Sequence, residues 1–308
     1  MSFKLTILGS SGALPAYGRF PSSQHLAIQN NQFLVDCGEG TQMQLMRLGF
    51  GLTKINHIFI SHLHGDHYLG LMGLIFSMHL QRRESELHLY SFRGLDEIIL
   101  AQLKHAKSSP NFKIIFHPLT ENSIETIYED DILTVETIPL VHKIPASGFL
   151  FRERKKPLRI DKSKLKEGTK PQHIIQLKKG ERVFDEQGNL LYRPEDYTLP
   201  SKTSFAYAYC SDTQPSSEVI RQIEGVDLLY HEATFMEDEK EKAKETKHST
   251  AAGAADVAKR GHIKKLIIGH FSARYKDLAP VLTEARQIFP ETFLATEGES
   301  YEIGDDGA

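Results

Sequence analysis

Four side chains able to bind a metal ion fall within six positions of this chain, in His62-Leu63-His64-Gly65-Asp66-His67. Imidazole nitrogens and carboxylate oxygens suit zinc and similar divalent ions, and a catalytic site of this kind keeps one coordination position for water. Gly65 permits a sharp backbone turn. One ion cannot comfortably take four side chains so closely spaced, so the cluster reads as part of a two-ion centre that other loops complete. Three further candidates each close a strand-like run: His142 after Val135 to Leu140, Asp212 after Ser204 to Cys210, and His270 after Leu266 to Gly269. A lone histidine is ordinarily structural. Delivery to a common rim by three strands is what joins these residues to the cluster.

The elements that must position these residues alternate between strand and helix patterns. Strands are expected over Phe3 to Leu8, Ser23 to Ile28, Gln32 to Asp36, Ile58 to Ser61, Leu87 to Ser91, Ile114 to Phe116 and Leu133 to Pro139. Asn30-Asn31 marks a hairpin. Helical spacing runs over Thr41 to Leu48, Tyr68 to Leu80 and Leu95 to Ala106. In the second half strands are expected over Ser204 to Cys210, Val226 to His231 and Lys265 to Gly269, and helices over His248 to Arg260 and Leu278 to Phe289. The strand-to-ligand order of the first half is roughly echoed in the second. The tail from Gly304 to Ala308 is expected to fray.

The 308 residues, 40% hydrophobic and 25% charged, exclude a fibrous or wholly disordered chain. No stretch approaches the roughly 20 apolar residues of a membrane span, and the first residues, MSFKLTILGSSG, lack the core of a signal peptide. Two cysteines, Cys37 and Cys210, make no disulfide framework, so the expected compartment is the reducing cytoplasm. A net charge of -3 names no partner in bulk, yet it hides an asymmetry. From Arg152 to Arg182 there are 12 Lys/Arg against 4 Asp/Glu, so the rest of the chain is acidic. With scattered Pro and Gly and little periodicity, this stretch reads as a basic arm at about 152–200, inserted in one domain spanning 1–308.

The H-x-H-x-D-H run, followed by a distant His, a distant Asp and a final His, resembles the metallo-β-lactamase superfamily. Four more features are similar to its ribonuclease Z family, in the short form of that tRNA 3′-processing endonuclease. They are His231-Glu232-Ala233-Thr234, His248-Ser249-Thr250, the run Gly269-His270-Phe271-Ser272-Ala273-Arg274-Tyr275, and the basic segment where the family inserts a flexible arm. The resemblance covers nearly the whole chain, from Leu8-Gly9 to about Glu302. It implies an α/β fold, a four-layer αβ/βα sandwich with an inserted basic flexible arm and a two-zinc site on one edge. By resemblance, His62, His64 and His142 would hold one zinc, Asp66, His67 and His270 the other, and Asp212 would bridge them. His64 stands where the diiron branch usually has Glu, which favours zinc.

The resemblance further implies removal of the 3′ trailer from tRNA precursors, leaving a 3′-hydroxyl on the tRNA and a 5′-phosphate on the trailer. Asp66 would be ligand and general base. His248, supported by Glu232, would contact the scissile phosphate or protonate the departing oxygen. Arg274 would hold a phosphate, and Arg154, Lys155 and Lys156 would begin the tRNA-binding arm. The family is typically a homodimer. Three places depart from its pattern: the stretch Leu165 to Gln172 has no Gly-Pro pair, Ser211 replaces the glycine before the bridging Asp, and the loop Pro15 to Ser23 matches only in part. Two competing readings are a small-substrate hydrolase or phosphodiesterase of the same superfamily, which has no need of the arm, and a non-catalytic RNA-binding subunit, which has no need of seven ligands.

Overall fold

Alternate residues of the short central strands point into two different cores. In Ile58-Phe59-Ile60, Phe59 packs with Phe33, Val35, Phe149 and Phe151, while Ile58 and Ile60 pack with Leu45, Leu74, Ile75 and Ile99 of the helices. A strand buried on both faces lies in the middle of a layered protein, between a second sheet and a helical layer. The computed structural model describes residues 3–107, 109–165 and 168–304.

Two seven-stranded sheets result. The first runs, in spatial order, Ser300–Glu302, Phe3–Gly9, Ser23–Ile28, Asn31–Cys37, His57–Phe59, Leu87–Ser91 and Ile114–Pro118. The second runs Thr292–Leu294, Lys265–Gly269, Leu228–Glu232, Ala206–Cys210, Ser147–Glu153, Leu133–Pro139 and Thr126–Glu129. Each has one parallel and one antiparallel half. The sheets meet through aromatic rings: Phe59 lies 5.4 Å from Phe149 and 5.5 Å from Phe151, and Phe33 lies 5.8 Å from Phe151. Helices Thr41–Arg47, Leu71–Leu80 and Leu95–His105 cover the first sheet. Ser217–Gln222, Ala251–Arg260 and Ala279–Arg286 cover the second. This is the expected αβ/βα sandwich. Among the described residues no helix is long and apolar enough to cross a membrane.

The structure differs from the expected elements at places where a distant contact decides. One helix over Tyr68 to Leu80 is instead two, Gly65–Tyr68 and Leu71–Leu80. A Cβ at Gly70, between them, would come within 2.1 Å of the Gly38 carbonyl oxygen, so only glycine lets the chain pass there. The hairpin turns at Gln29-Asn30, one position early, with Ile28 paired to Asn31 and Gln29 in the left-handed region at φ 55°. His248 does not begin a helix. Thr250 caps Ala251–Arg260, its side chain accepting from the Gly253 N–H. Arg152, expected to open the arm, lies inside the body strand Ser147–Glu153 and pairs with Thr134 on one side and Ala206 on the other.

The excursion therefore leaves after Glu153, and it holds more regular structure than its lack of periodicity suggests. Arg159–Ile160 pairs with Thr198–Leu199, Pro171–Lys178 is helical, and Val183–Phe184 pairs with Leu190–Tyr192. Pieces of two to eight residues are too short for a repeat to show. The expected arm tip, Leu165 to Gln172, and the expected frayed tail lie partly outside the described residues.

Two histidines of the first sheet make the fold acid-sensitive. His25 is buried against Phe50, and burial lowers its pKa to about 4. His57 lies 4.8 Å from the His88 ring; burial first, then His88 and His117, lowers it to about 4. A base depressed in the fold binds protons more readily when unfolded, here between pH of about 6.5 and 4. Stability from these groups is complete above about pH 6.5 and is lost as pH falls through about 4. Urea unfolding across that range is expected to show the loss, and His25→Gln to lessen it. An unchanged pH slope in that variant would refute the assignment.

Candidate metal centre

The seven residues singled out as ligands come together where loops leave the two sheets. His62, His64, Asp66 and His67 follow the first-sheet strand His57–Phe59, while His142, Asp212 and His270 follow three strands of the second sheet. The carboxylate of Asp212 lies between two groups. Its Oδ2 is 3.6 Å from His62 Nε2 and 3.8 Å from His142 Nε2, and its Oδ1 is 3.5 Å from His67 Nε2 and 3.2 Å from His270 Nε2. His64 Nδ1 joins the first group, 3.0 Å from His62 Nε2 and 3.3 Å from His142 Nε2. Asp66 Oδ2 joins the second, 3.4 Å from His67 Nε2 and 3.3 Å from His270 Nε2. Donor atoms of His62, His64, His142 and Asp212 lie within 4.8 Å of one another, as do those of Asp66, His67 and His270.

The far nitrogens of these rings are held. His67 Nδ1–H donates to Asp36 Oδ2 at 2.7 Å, His142 Nδ1–H to the Lys247 carbonyl at 3.1 Å, and His270 Nδ1–H to Thr234 Oγ1 at 2.9 Å. His62 Nδ1–H reaches Ser61 Oγ at 3.0 Å, because that hydroxyl spends its own proton on Asp36. With Nδ1 of these four rings carrying the hydrogen, their Nε2 atoms turn lone pairs inward, the tautomer a metal ligand needs, while His64 presents its Nδ1. His67 Nε2 is buried and has no hydrogen-bond partner. Converging lone pairs and an orphaned ring nitrogen fit a pair of cations.

Electrostatics agree. Burial, the largest effect, and then neighbouring histidines push His62 well below its usual pKa, and burial lowers His64 and His142, so these rings stay neutral. Burial would raise Asp66 and Asp212, but the histidines around them keep both ionised. His67 is the exception: burial opposes its charge, yet Asp66, Asp212 and Asp36 together lift it well above the usual range. Three carboxylates around one imidazole draw positive charge to that point.

Glu232 organises the neighbouring loops. Fully buried, it accepts hydrogen bonds from Thr213 N at 3.1 Å, Thr234 N at 2.9 Å, Ser249 N at 3.0 Å and His248 Nδ1 at 2.8 Å. Burial disfavours a proton on His248, but Glu232 and Asp212 raise its pKa to about 9. Its Nε2 faces Asp212 Oδ2 at 3.9 Å. Arg274 forms an ion pair with Glu239 and lies over the Phe235 ring. The arm residues stay outside the ring of ligands: Arg154 pairs with Glu129 at 2.8 Å and Lys156 with Glu153 at 2.6 Å, while Lys155 is exposed.

Sequence reasoning misses Asp36. By pattern it only ends a strand, yet its buried carboxylate takes Ser61 N at 2.7 Å, Ser61 Oγ at 2.9 Å, Tyr209 OH at 2.6 Å and His67 Nδ1. A carboxylate closing the apolar run Phe33-Leu34-Val35 is the available signal. Asp36, Lys247 and His270 all adopt left-handed backbone, at φ 54°, 56° and 58°. Such strain costs about 1–3 kcal/mol per residue and gathers at functional sites. Ser211, which replaces a glycine of the family pattern, is not among the residues with positive φ.

Comparison with known proteins gives the family. A chain named "Ribonuclease Z" from Cytophaga hutchinsonii is 47% identical over 305 residues, covering 99% of this chain and 97% of that protein. The chain belongs to the ribonuclease Z family. Another ribonuclease Z, from Bacteroides fragilis, is 44% identical over 296 residues, covering 96% of this chain and 97% of that protein. Among solved structures, the short form of human tRNase Z superposes with a TM-score of 0.72 at 25% identity, covering 97% of this chain and 99% of that one. A family model described as "Anti-Pycsar protein Apyc1" matches residues 3–157. Those residues include the ribonuclease Z cluster His62 to His67 but stop short of Asp212, Glu232, His248 and His270.

Proposed function

We propose that this ribonuclease Z binds two zinc ions and removes the 3′ trailer from tRNA precursors, with Asp66 and His248 moving the protons and the excursion after Glu153 holding the tRNA. The endoribonuclease activity in tRNA 3′ processing follows from the family. The observation that supports two ions is the division of Asp212, whose two oxygens face two separate groups of imidazoles.

When bound, divalent ions there lower the pKa of water and offset charge on the phosphate. His62, His64 and His142 would hold one, Asp66, His67 and His270 the other, with Asp212 between. Asp66 Oδ2 accepts the Ala13 N–H at 2.7 Å and faces the same point as the inward Nε2 atoms of His67 and His270, which leaves Oδ1 to take the proton of the attacking water. The water oxygen bonds to phosphorus and the bond from phosphorus to the 3′ oxygen breaks. His248 keeps its Nδ1 hydrogen on Glu232, so the proton at Nε2 is the one passed to the departing 3′ oxygen. The products are a tRNA 3′-hydroxyl and a trailer 5′-phosphate, with no part for the RNA 2′-hydroxyl.

A homodimer fits the exposed Met43 and Met46 of helix Thr41–Arg47 and Leu69 and Leu80 beside or within helix Leu71–Leu80, which give an apolar surface for a second copy. Free, buried Cys37 and Cys210 suit the reducing cytoplasm.

The test is cleavage of a 5′-labelled tRNA precursor lacking encoded CCA. A single cut after the discriminator base, lost on chelation and restored by zinc, is expected. Intact RNA alongside hydrolysis of bis(p-nitrophenyl) phosphate would leave the metal site and overturn the tRNA assignment. Asp36→Asn should weaken metal binding about 10- to 100-fold, because the amide lacks the charge and has one acceptor oxygen where two now serve Ser61, Tyr209 and the His67 Nδ1–H that turns Nε2 inward. Zinc competition with a chromogenic chelator checks this, and unchanged affinity would remove Asp36 from the site.

A further inference from the structure

Arg274 is not free to meet a phosphate. Its guanidinium is ion-paired to Glu239, its one ion-pair partner among the described residues. We propose that Glu239 competes with a substrate phosphate for Arg274 and so sets the affinity and substrate preference of the site; this rests on the reading of Arg274 as a phosphate-binding residue.

The pair sits close to the chemistry. Arg274 Cζ lies 5.2 Å from the centre of the Phe235 ring, and that ring meets the His248 ring edge-on at 6.0 Å. Arg274 is therefore one aromatic ring removed from the proton donor, in reach of a phosphate next to the scissile one. The Arg274 side chain is 32% exposed and that of Glu239 37%, so a polyanion can reach the pair and displace the carboxylate.

Glu239 is also held in position. It ends the short turn Glu237–Glu239, which is tied on three sides. Glu237 N–H donates to Glu284 Oε2 at 3.0 Å, Thr250 Oγ1 donates to Glu237 Oε2 at 2.9 Å, and Met236 N–H donates to Tyr275 OH at 3.1 Å. The last bond ties the acidic turn to the residue following Arg274, so Glu239 remains a standing competitor. A guanidinium offers the same fork to a carboxylate and to a phosphodiester. A long RNA with further cationic contacts wins the exchange. A small phosphodiester confined to the metal centre does not reach Arg274 and is indifferent to it.

Glu239→Gln, Arg274→Ala and the double variant test this through KM and kcat on the tRNA precursor and on bis(p-nitrophenyl) phosphate. An exposed ion pair is weak, so Glu239→Gln is expected to lower KM for the precursor about threefold with kcat unchanged. Arg274→Ala should raise that KM about tenfold through loss of a charge-assisted hydrogen bond. Glu239→Gln should then do nothing further in the Arg274→Ala background, and by itself it should not move KM for the small ester. A raised or unchanged KM in Glu239→Gln, with Arg274→Ala impaired, would mean that Glu239 merely orients the arginine; the competition is overturned and the Arg274 reading stands. An equal gain in both backgrounds would reduce Glu239 to general repulsion of RNA and also overturn it. No effect of Arg274→Ala would remove both readings.

Discussion

Asp66→Ala is expected to lower the rate of precursor cleavage by about a thousandfold or more, since on the proposed reading it removes a ligand and the proton acceptor together. The loss spreads further than one carboxylate. Asp66 Oδ2 holds the Ala13 N–H and stands 3.3 Å from His270 and 3.4 Å from His67. Without it, two buried imidazoles lose a charge partner and the loop that begins at Ala13 loses its anchor. A cut with unchanged position at residual rate, together with reduced zinc content, is the expected picture. A variant within about tenfold of the native rate would exclude Asp66 as the general base, for which the expected contribution is about 10²–10⁴.

Deleting the excursion separates substrate capture from chemistry. Arg152 pairs directly with Ala206, and Ser204 Oγ donates to the Arg154 carbonyl at 2.8 Å, so the two ends of the excursion are already adjacent. Replacing residues 156–202 with a short Asn-Gly turn should leave the second sheet intact. Every lysine or arginine that neutralises a phosphate also releases a counterion, and the deletion forfeits that release. The kcat/KM for the precursor is therefore expected to fall about a hundred- to a thousandfold, with a shallower salt dependence. Hydrolysis of bis(p-nitrophenyl) phosphate should stay within about twofold of the native value, because a small ester has no flanking phosphates for the arm to hold. Equal loss on both substrates would assign the excursion a structural role. No loss on either would strip the excursion of any part in holding the tRNA.

The legible part of the site is the part that chemistry restricts to a few residue types. Only His, Asp, Glu or Cys serve as zinc ligands of this kind, so His62, His64, Asp66 and His67 announce themselves by crowding, and His142, Asp212 and His270 by closing strands. What escapes depends on partners far along the chain. Asp36 matters because Ser61, His67 and Tyr209 arrive at its carboxylate from other segments. The helix break at Gly70 depends on the Gly38 carbonyl, and the pairing of Arg274 on a glutamate 35 positions earlier. The strands are legible for the opposite reason: the patterning of runs such as Phe33-Leu34-Val35 is a local property. The arm is visible as charge and invisible as structure, since its elements are stabilised by pairing with one another along the excursion.

The candidate ligands are divided between the sheets, four from the first and three from the second. An ion held at this edge would therefore be a cross-link between two halves that otherwise meet chiefly through apolar packing in their interior. Loading the site raises the free energy of prying the sheets apart by an amount set by metal concentration over its dissociation constant. On the proposed two-ion reading, metal supply would then govern how long the folded protein survives heat and proteases, as well as how fast it cuts.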